Sequence, residues 1–299
     1  MVFFLSLAKI QAYCNQVKKF LCLYFLLFLN SIAFSQTHFY AGIFAGSANY
    51  KGDLGRTSFI SNTRGVWGFG MFFQLNRRML IRTEMYSGNV SGTDKFDAKT
   101  RSRNLNFTSK ITEFSLSYEY ILFDLYEYKV SPYAFIGVGT FKFSPYTKNK
   151  NGNVVFLAEQ STEGQGFYKD RKDYKLQQLA IPFGGGMQWA LSPTKRIALE
   201  VGIRKTFTDY LDDVSTTYID PALLAQERGS TAVSLAYRAV ELPNALPYPA
   251  DGSKRGNPDT KDWYFFSGVS FRFSIQPRTR VKAYKFKPHR AKTKCPTVF

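Results

Sequence analysis

The chain has 299 residues, a formal net charge of +18 and a mean hydropathy of −0.23. That hydropathy is too polar for a protein built of transmembrane helices, yet the 29 phenylalanines and 19 tyrosines show heavy use of aromatic residues. The combination favours a membrane β-barrel, in which rings lie at the bilayer interfaces and on lipid-facing strands.

The first segment of the chain predicts export. The basic pair Lys18-Lys19 precedes an apolar run over residues 20–29, and small residues stand before Gln36 in the pattern of a cleavage site. The run has about half of the roughly 20 apolar residues that a transmembrane helix needs. We therefore interpret residues 1–35 as a secretory signal peptide.

Alternation of apolar and polar residues with a period of two recurs eight times after the leader, whereas no segment keeps a helical period of 3.6 residues. The last repeat is the clearest, because Trp263, Phe265, Val269 and Phe273 share one face of the segment. The predicted strands cover residues 38–50, 64–75, 78–91, 106–123, 131–146, 174–190, 195–209 and 262–276.

Short and long connections alternate between these strands. The second, fourth and sixth links are short, at Asn76-Arg77, residues 124–130 and residues 191–194, and the other links are longer. Outer-membrane barrels have short periplasmic turns and longer extracellular loops. The sequence thus predicts an all-β fold, an eight-stranded antiparallel outer-membrane β-barrel over residues 36–276, with both termini in the periplasm. A soluble sandwich or lipocalin-like barrel is the alternative, but it gives no reason for this rhythm.

Charged residues on the polar face of the strands predict how the lumen is filled. An eight-stranded barrel is just wide enough to be filled by side chains, and opposite charges at inward-facing positions can pair there. We expect a plug of charges and no conducting pore. The residues with inward parity are Arg82, Glu84, Glu113, Glu119, Glu200 and Arg204.

An aspartate cluster lies at and beyond the end of the seventh predicted strand, and it comprises Asp209, Asp212, Asp213 and Asp220. Their carboxylates are hard oxygen donors that can hold Ca²⁺ or divalent ions bridging lipopolysaccharide. Their spacing differs from an EF-hand loop, and Asp/Ser/Thr clusters more often order a turn by binding backbone amides. Ion binding and loop ordering both remain open.

Nothing in the sequence predicts an enzyme. The two histidines, His38 and His289, have no recognisable nucleophile or acid beside them, and metal-ligand spacing of the Cys/His type is absent. The glycine-rich stretches at 137–139 and 184–186 lie inside predicted strands. A phosphate-binding loop needs the N-terminus of a following helix, so these stretches do not predict one. We expect neither catalytic residues nor a cofactor.

Residues 277–299 form a basic tail. Removal of the leader, which carries three lysines and no acid, lowers the net charge to +15, and the tail supplies eight basic residues and no acidic one. Basic residues interleaved with rings can bind nucleic acid, but an exported barrel meets little of it, so we predict no nucleic-acid partner. The tail is either solvated or bound to a periplasmic partner. Its candidate binding residues are Arg278, Arg280, Lys282, Lys285, Lys287, Arg290, Lys292, Lys294 and Cys295.

Several motifs resemble those of one family. They are Asn49-Tyr-Lys-Gly-Asp-Leu54, Thr162-Glu-Gly-Gln-Gly166, Ile181-Pro-Phe-Gly-Gly-Gly186, the stretch from Arg204 to Tyr218, Arg255-Gly-Asn-Pro258 and Lys261-Asp-Trp-Tyr264. Together they resemble the PorG-like outer-membrane barrels of the type IX secretion system. The resemblance implies an integral outer-membrane component associated with the periplasmic ring of that secretion and gliding machinery.

Two functions from different classes follow. The first is a non-enzymatic structural component of the secretion machinery, which is embedded in outer-membrane lipid and lipopolysaccharide and whose turns and basic tail hold periplasmic ring-type proteins. The second is a surface binding module that uses the loops at about 148–173 and 210–261 to capture a glycan, an ion or an exported substrate.

Overall fold

A computed structural model of the chain describes residues 38–54, 62–169 and 171–275. Within these ranges nine strands form one antiparallel sheet. They are β1 (His38–Lys51), β2 (Arg64–Gln74), β3 (Met79–Thr93), β4 (Asn106–Ile121), β5 (Val130–Lys148), β6 (Val154–Phe156), β7 (Gln177–Ser192), β8 (Lys195–Thr206) and β9 (Trp263–Ser274).

Eight of the described strands close into a barrel. β9 returns to pair with β1, and β4 pairs with both β3 and β5, so the order round the barrel is β1, β2, β3, β4, β5, β7, β8 and β9. In this order β3 lies opposite β8, and β4 lies opposite β9. The short strand β6 pairs only with the end of β5 and extends the wall beyond β7. The predicted eight-stranded barrel is confirmed.

Alternation along each strand separates an apolar exterior from a buried interior. On β9, Val269 and Phe273 are 40% and 41% exposed, whereas Tyr264 and Arg272, which have the opposite parity, are at most 1% exposed. An exterior of exposed aliphatic and aromatic side chains is the surface that lipid covers in a transmembrane barrel, and it does not fit a soluble sandwich. Further exposed side chains of this band are Ile43, Trp67, Phe69, Phe114, Ile136, Val138, Leu179, Leu199 and Val201.

The connections alternate as predicted. Residues 75–78, 122–129 and 193–194 join strands at one end of the barrel, which we call the short-turn end. In the first of these turns the Asn76 carboxamide oxygen accepts hydrogen bonds from the backbone N–H groups of Arg78 and Met79, both at 2.9 Å. The long connections leave the opposite end, which we call the long-loop end.

Two predictions about the last loop were wrong. β8 ends at Thr206 rather than at residue 209, because the Thr206 hydroxyl donates to the carbonyl of Asp262 at 2.7 Å and the chain turns away from the wall. The loop also contains two α-helices, α1 (Pro221–Arg228) and α2 (Ser230–Ala236), and a short 3-10 helix (Ala239–Glu241), although the sequence predicts no helical segment. None of the helices within the described ranges is long and apolar enough to cross a membrane.

The predicted signal peptide, residues 1–35, lies outside the described residues, and so does the basic tail with its eight arginines and lysines and Cys295.

Candidate functional site: a sealed lumen and an ordered cap

Charged side chains from opposite walls meet in the middle of the barrel. The Arg82 guanidinium on β3 donates to Glu200 on β8 at 2.9 Å and to Glu119 on β4 at 3.0 Å, and it also pairs with Glu84 at 2.6 Å. Arg272 on β9 donates to Glu119 at 2.7 Å. Since β3 lies opposite β8 and β4 opposite β9, these ion pairs span the full width of the lumen. We call the five residues the lumen network.

A second ion pair lies nearer the long-loop end. Arg204 on β8 donates from Nε to Glu113 on β4 at 3.1 Å, and the Tyr264 hydroxyl donates to the same carboxylate at 2.8 Å. The Arg204 guanidinium lies 4.2 Å from the ring centroid of Phe266 and 5.1 Å from that of Tyr86. Aromatic side chains therefore surround this pair and fill the lumen around it.

Sequence reasoning missed two arginines of the lumen. Arg272 belongs to the lumen network, and Arg196 on β8 donates to the Tyr40 hydroxyl at 2.8 Å and to the Gln74 carboxamide oxygen at 3.1 Å. Both have the inward parity that selected the other charged residues. The same rule, applied to every strand, would have found them.

All of these lumen charges are buried, with exposures of at most 7%. A buried charge without a partner costs several kcal/mol, so each guanidinium holds its carboxylates in place and is held by them. The crossed ion pairs and the packed rings leave a lumen that is filled by side chains.

The long loops fold into an ordered cap over the long-loop end of the barrel. Asp212 accepts hydrogen bonds from the Tyr50 hydroxyl at 2.7 Å and from the backbone N–H of Leu54 at 3.0 Å. Asp213 accepts from the hydroxyls of Thr162 at 2.5 Å and Tyr174 at 2.7 Å. These two neighbouring aspartates thus bind the last loop to the first loop and to the loop between β5 and β7.

A buried ion pair lies at the centre of the cap. The Glu163 carboxylate accepts from the backbone N–H groups of Ser215 and Thr216, both at 2.9 Å, and from Arg255 Nη1, also at 2.9 Å. Arg255 Nη1 donates in addition to the carbonyl of Asp213 at 2.6 Å. Glu163 and Arg255 belong to two of the family-like motifs, and their contacts show that these motifs order the cap.

The two remaining aspartates of the predicted cluster differ in their roles. Asp220 caps α1, because its carboxylate accepts from the N–H groups of Ala222 at 2.7 Å and Leu223 at 3.1 Å. Asp209 is 4% exposed, its Oδ2 has no hydrogen-bond partner among the described residues, and burial raises its pKa to about 7. Within the described residues, no three His, Cys, Asp or Glu side chains form a group that could hold a metal ion.

Two carboxyl groups share one tyrosine hydroxyl beneath the cap. The Tyr50 hydroxyl oxygen lies 2.7 Å from Asp212 Oδ2 and 2.7 Å from Asp262 Oδ1. A hydroxyl donates only one proton, so one of the two carboxyl groups must itself be protonated and donate to the tyrosine oxygen. Consistent with this geometry, burial raises the pKa of Asp212 and of Asp262 well above the usual range.

The short-turn end presents a basic surface. Arg77, Arg78 and Lys195 are exposed there, and Arg77 reaches the buried Asp124 at 3.2 Å. Glu127 is an exposed acid at this end of the barrel. The net charge of this surface is therefore positive, like that of the predicted tail.

Several solved structures are similar to this chain at low sequence identity. No curated protein matches the chain. Among solved structures, Neisserial surface protein A is 9% identical, with a TM-score of 0.40, and the match covers 79% of this chain and 97% of that one. A major outer membrane protein from Thermus thermophilus is 12% identical, with a TM-score of 0.38 and coverage of 79% and 99%. The attachment invasion locus protein Ail of Yersinia pestis is 10% identical, with a TM-score of 0.37 and coverage of 79% and 99%.

One family model matches the sequence. The match runs over residues 18–221, and the family is described as a domain of unknown function, DUF6089. Because these residues make up more than half of the chain, the protein belongs to the DUF6089 family.

Proposed function

We propose that this protein is a non-enzymatic outer-membrane barrel that anchors a periplasmic partner complex, as a component of a type IX secretion machinery. The observation that carries the anchoring role is the lumen network. Arg82 with Glu200 and Arg272 with Glu119 join opposite walls, so the barrel has no path along its axis through which a substrate could pass. A filled barrel serves as a fixed point in the membrane.

The short-turn end is the surface that we assign to the partner. Arg77, Arg78 and Lys195 are exposed there, and β9, the last described strand before the predicted basic tail, ends at this end of the barrel. Such a surface favours an acidic partner, because complementary charge increases both the rate and the specificity of association. The assignment to type IX secretion rests on the motifs that resemble the PorG-like barrels.

The acidic side chains of the cap favour a structural role over a catalytic one. Glu163, Asp212 and Asp213 each accept several hydrogen bonds that order the loops, which leaves few free lone pairs for a reacting substrate. These three side chains therefore hold the loops in place.

A pull-down from cells tests the proposal. Three tagged variants are compared with the wild type. The first lacks residues 277–299, and the second carries R77A, R78A and K195A at the short-turn end. The third is a control with K95A, K99A and K150A at the long-loop end, which loses as many positive charges as the second. We expect the wild type and the control to recover ring-type periplasmic proteins and the other two to recover less. Equal recovery by all four would contradict the anchoring role, and normal export of type IX cargo in a deletion strain would contradict the assignment to that machinery.

A surface binding module is the second candidate, and the rigidity of the cap favours it. The cap is held by buried ion pairs and still exposes Val240 and Leu246, which are 58% and 53% exposed. Replacement of residues 221–246 by a flexible linker would remove this surface. If export and partner recovery stay normal while capture of exported cargo is lost, the binding role is supported; unchanged capture would count against it.

A further inference from the structure

The exposed charged side chains of the barrel wall all carry the same sign, whereas the lumen holds both signs. In the described strands each glutamate is buried on the lumen side, and the exposed charged side chains are all basic. Most of the exposed ones lie towards the long-loop end, so the exterior there is basic without an acidic neighbour on the strands. On the exterior face they are Lys51, Lys110, Lys142, Lys148 and Lys205. Arg64 is also exposed, but it has the inward parity of β2 and donates to the buried Ser91 at the rim.

Three of the exterior side chains at this end form one row across three strands. Lys51 on β1 lies opposite Trp263 on β9, and Trp263 lies opposite Lys205 on β8. Their chain neighbours Tyr50 and Arg204 are buried on the lumen side, so the row faces outward. Adjacent strands are about 4.8 Å apart, which places the two lysine Cα atoms roughly 10 Å apart with the indole between them. We call this the Lys-Trp-Lys row.

The row lies at the boundary of the apolar band. The next outward-facing pair towards the middle of the barrel is Ile203 opposite Phe265, and Val201 and Leu199 beyond it are 55% and 53% exposed. Tryptophan is enriched at the level of lipid headgroups, and lysine extends its ammonium group from an apolar surface into the headgroup layer. The row therefore combines interfacial anchoring with two positive charges at a single level.

We propose that the Lys-Trp-Lys row binds the phosphate of an anionic membrane lipid, with the two ammonium groups on the phosphate and the acyl chains along Ile203, Phe265 and Val201. Two lysines at this spacing can converge on one phosphate, and the apolar surface next to them explains why the ligand is a lipid rather than free phosphate. This site concerns the bilayer at the long-loop end, so it goes beyond the anchoring of a partner and does not depend on it.

Native mass spectrometry of the full-length protein in detergent micelles tests the site. Phosphatidic acid and phosphatidylcholine with the same acyl chains are titrated separately, and inorganic phosphate serves as a competitor. The variants are K51A/K205A and, as a control with the same loss of charge on the loops, K150A/K172A. Folding of each variant is verified by its circular dichroism.

We expect the wild type and the K150A/K172A control to retain phosphatidic acid at least about ten-fold more tightly than phosphatidylcholine, and K51A/K205A to lose this preference. Retention of the preference by K51A/K205A would overturn the proposal. So would displacement of the lipid by equimolar inorganic phosphate, because it would show that the acyl chains contribute nothing to binding.

Discussion

Arg82 and Glu200 lie on opposite walls of the barrel, and their side chains meet in the lumen at 2.9 Å. The contact joins two strands that are four positions apart round the sheet. Together with Arg272 and Glu119 it connects the walls directly, in addition to the hydrogen bonds between neighbouring strands. The barrel is thus cross-linked through its interior, which suits a protein whose proposed task is to hold a partner in place.

Removal of Arg82 should strongly destabilise the barrel. R82A leaves the buried carboxylates of Glu119 and Glu200 short of a partner, and breaking such a buried pair costs about 3–5 kcal/mol. Urea unfolding in detergent micelles measures the free energy of unfolding. The control R78A removes an exposed guanidinium of a short turn and should change that free energy by less than about 1 kcal/mol. Equal effects of the two substitutions would show that the lumen network does not stabilise the barrel.

Arg255 should hold the cap closed. R255A leaves Glu163 and Asp213 buried without their cation, so we expect the long loops to open and the barrel to stay folded. Limited proteolysis with a readout of the cleavage sites should show faster cutting in residues 149–176 and 207–262. K254A removes the neighbouring lysine and serves as the matched control. Unchanged cutting in R255A would contradict the role of this ion pair.

The stability of the cap should fall as the pH rises. Burial raises the pKa of Asp213 to about 6 and that of Asp209 to about 7, whereas an unfolded aspartate has a pKa of about 3.9. The folded cap therefore binds protons more tightly than the open one, so the stabilisation is complete below about pH 4 and is lost as the pH rises through 6 and 7.

The substitution D209N tests this dependence at one position. It keeps the size of the side chain and removes the titration, so hydrogen exchange of the loop amides should depend less on pH between 5 and 8 than in the wild type. A cap that becomes more protected as the pH rises, in either protein, would contradict the sign of the prediction.

Asp220 should stabilise α1 locally. D220A removes the acceptor for the N–H groups of Ala222 and Leu223, and loss of such a cap costs about 1 kcal/mol. Hydrogen exchange in residues 222–228 should rise about five-fold, while the barrel strands stay protected. D220N, which can still cap the helix, should behave like the wild type; a similar rise in D220N would show that capping is not the cause.

The barrel could be predicted from the sequence because the signal is local. In a strand, parity alone decides whether a side chain faces lipid or lumen, and this rule placed Arg82, Glu113 and Glu200 on the inner face. The pairing of Arg82 with Glu200 could not be predicted, because it depends on which strands face each other across the lumen and on the stagger between them. Neither the facing of the strands nor their stagger can be read from a short stretch of sequence.

The cap could be predicted only in part. The aspartates signalled ordered turns, but the partners of Asp213 lie at Thr162 and Tyr174, far away in the chain. The helices escaped notice because eight and seven residues give only two turns of a 3.6-residue period. The sequence Asp220-Pro221 was the available signal for α1, since it places a capping residue before a proline at the first helical position.

In the proposed function, the partner complex is held at the short-turn end. A photo-crosslinking amino acid placed in living cells at Arg78, and in a second strain at Lys150 on the long-loop end, tests it directly. We expect a crosslink to a periplasmic ring-type protein from position 78 and none from position 150. A crosslink to that protein from position 150 alone would contradict it.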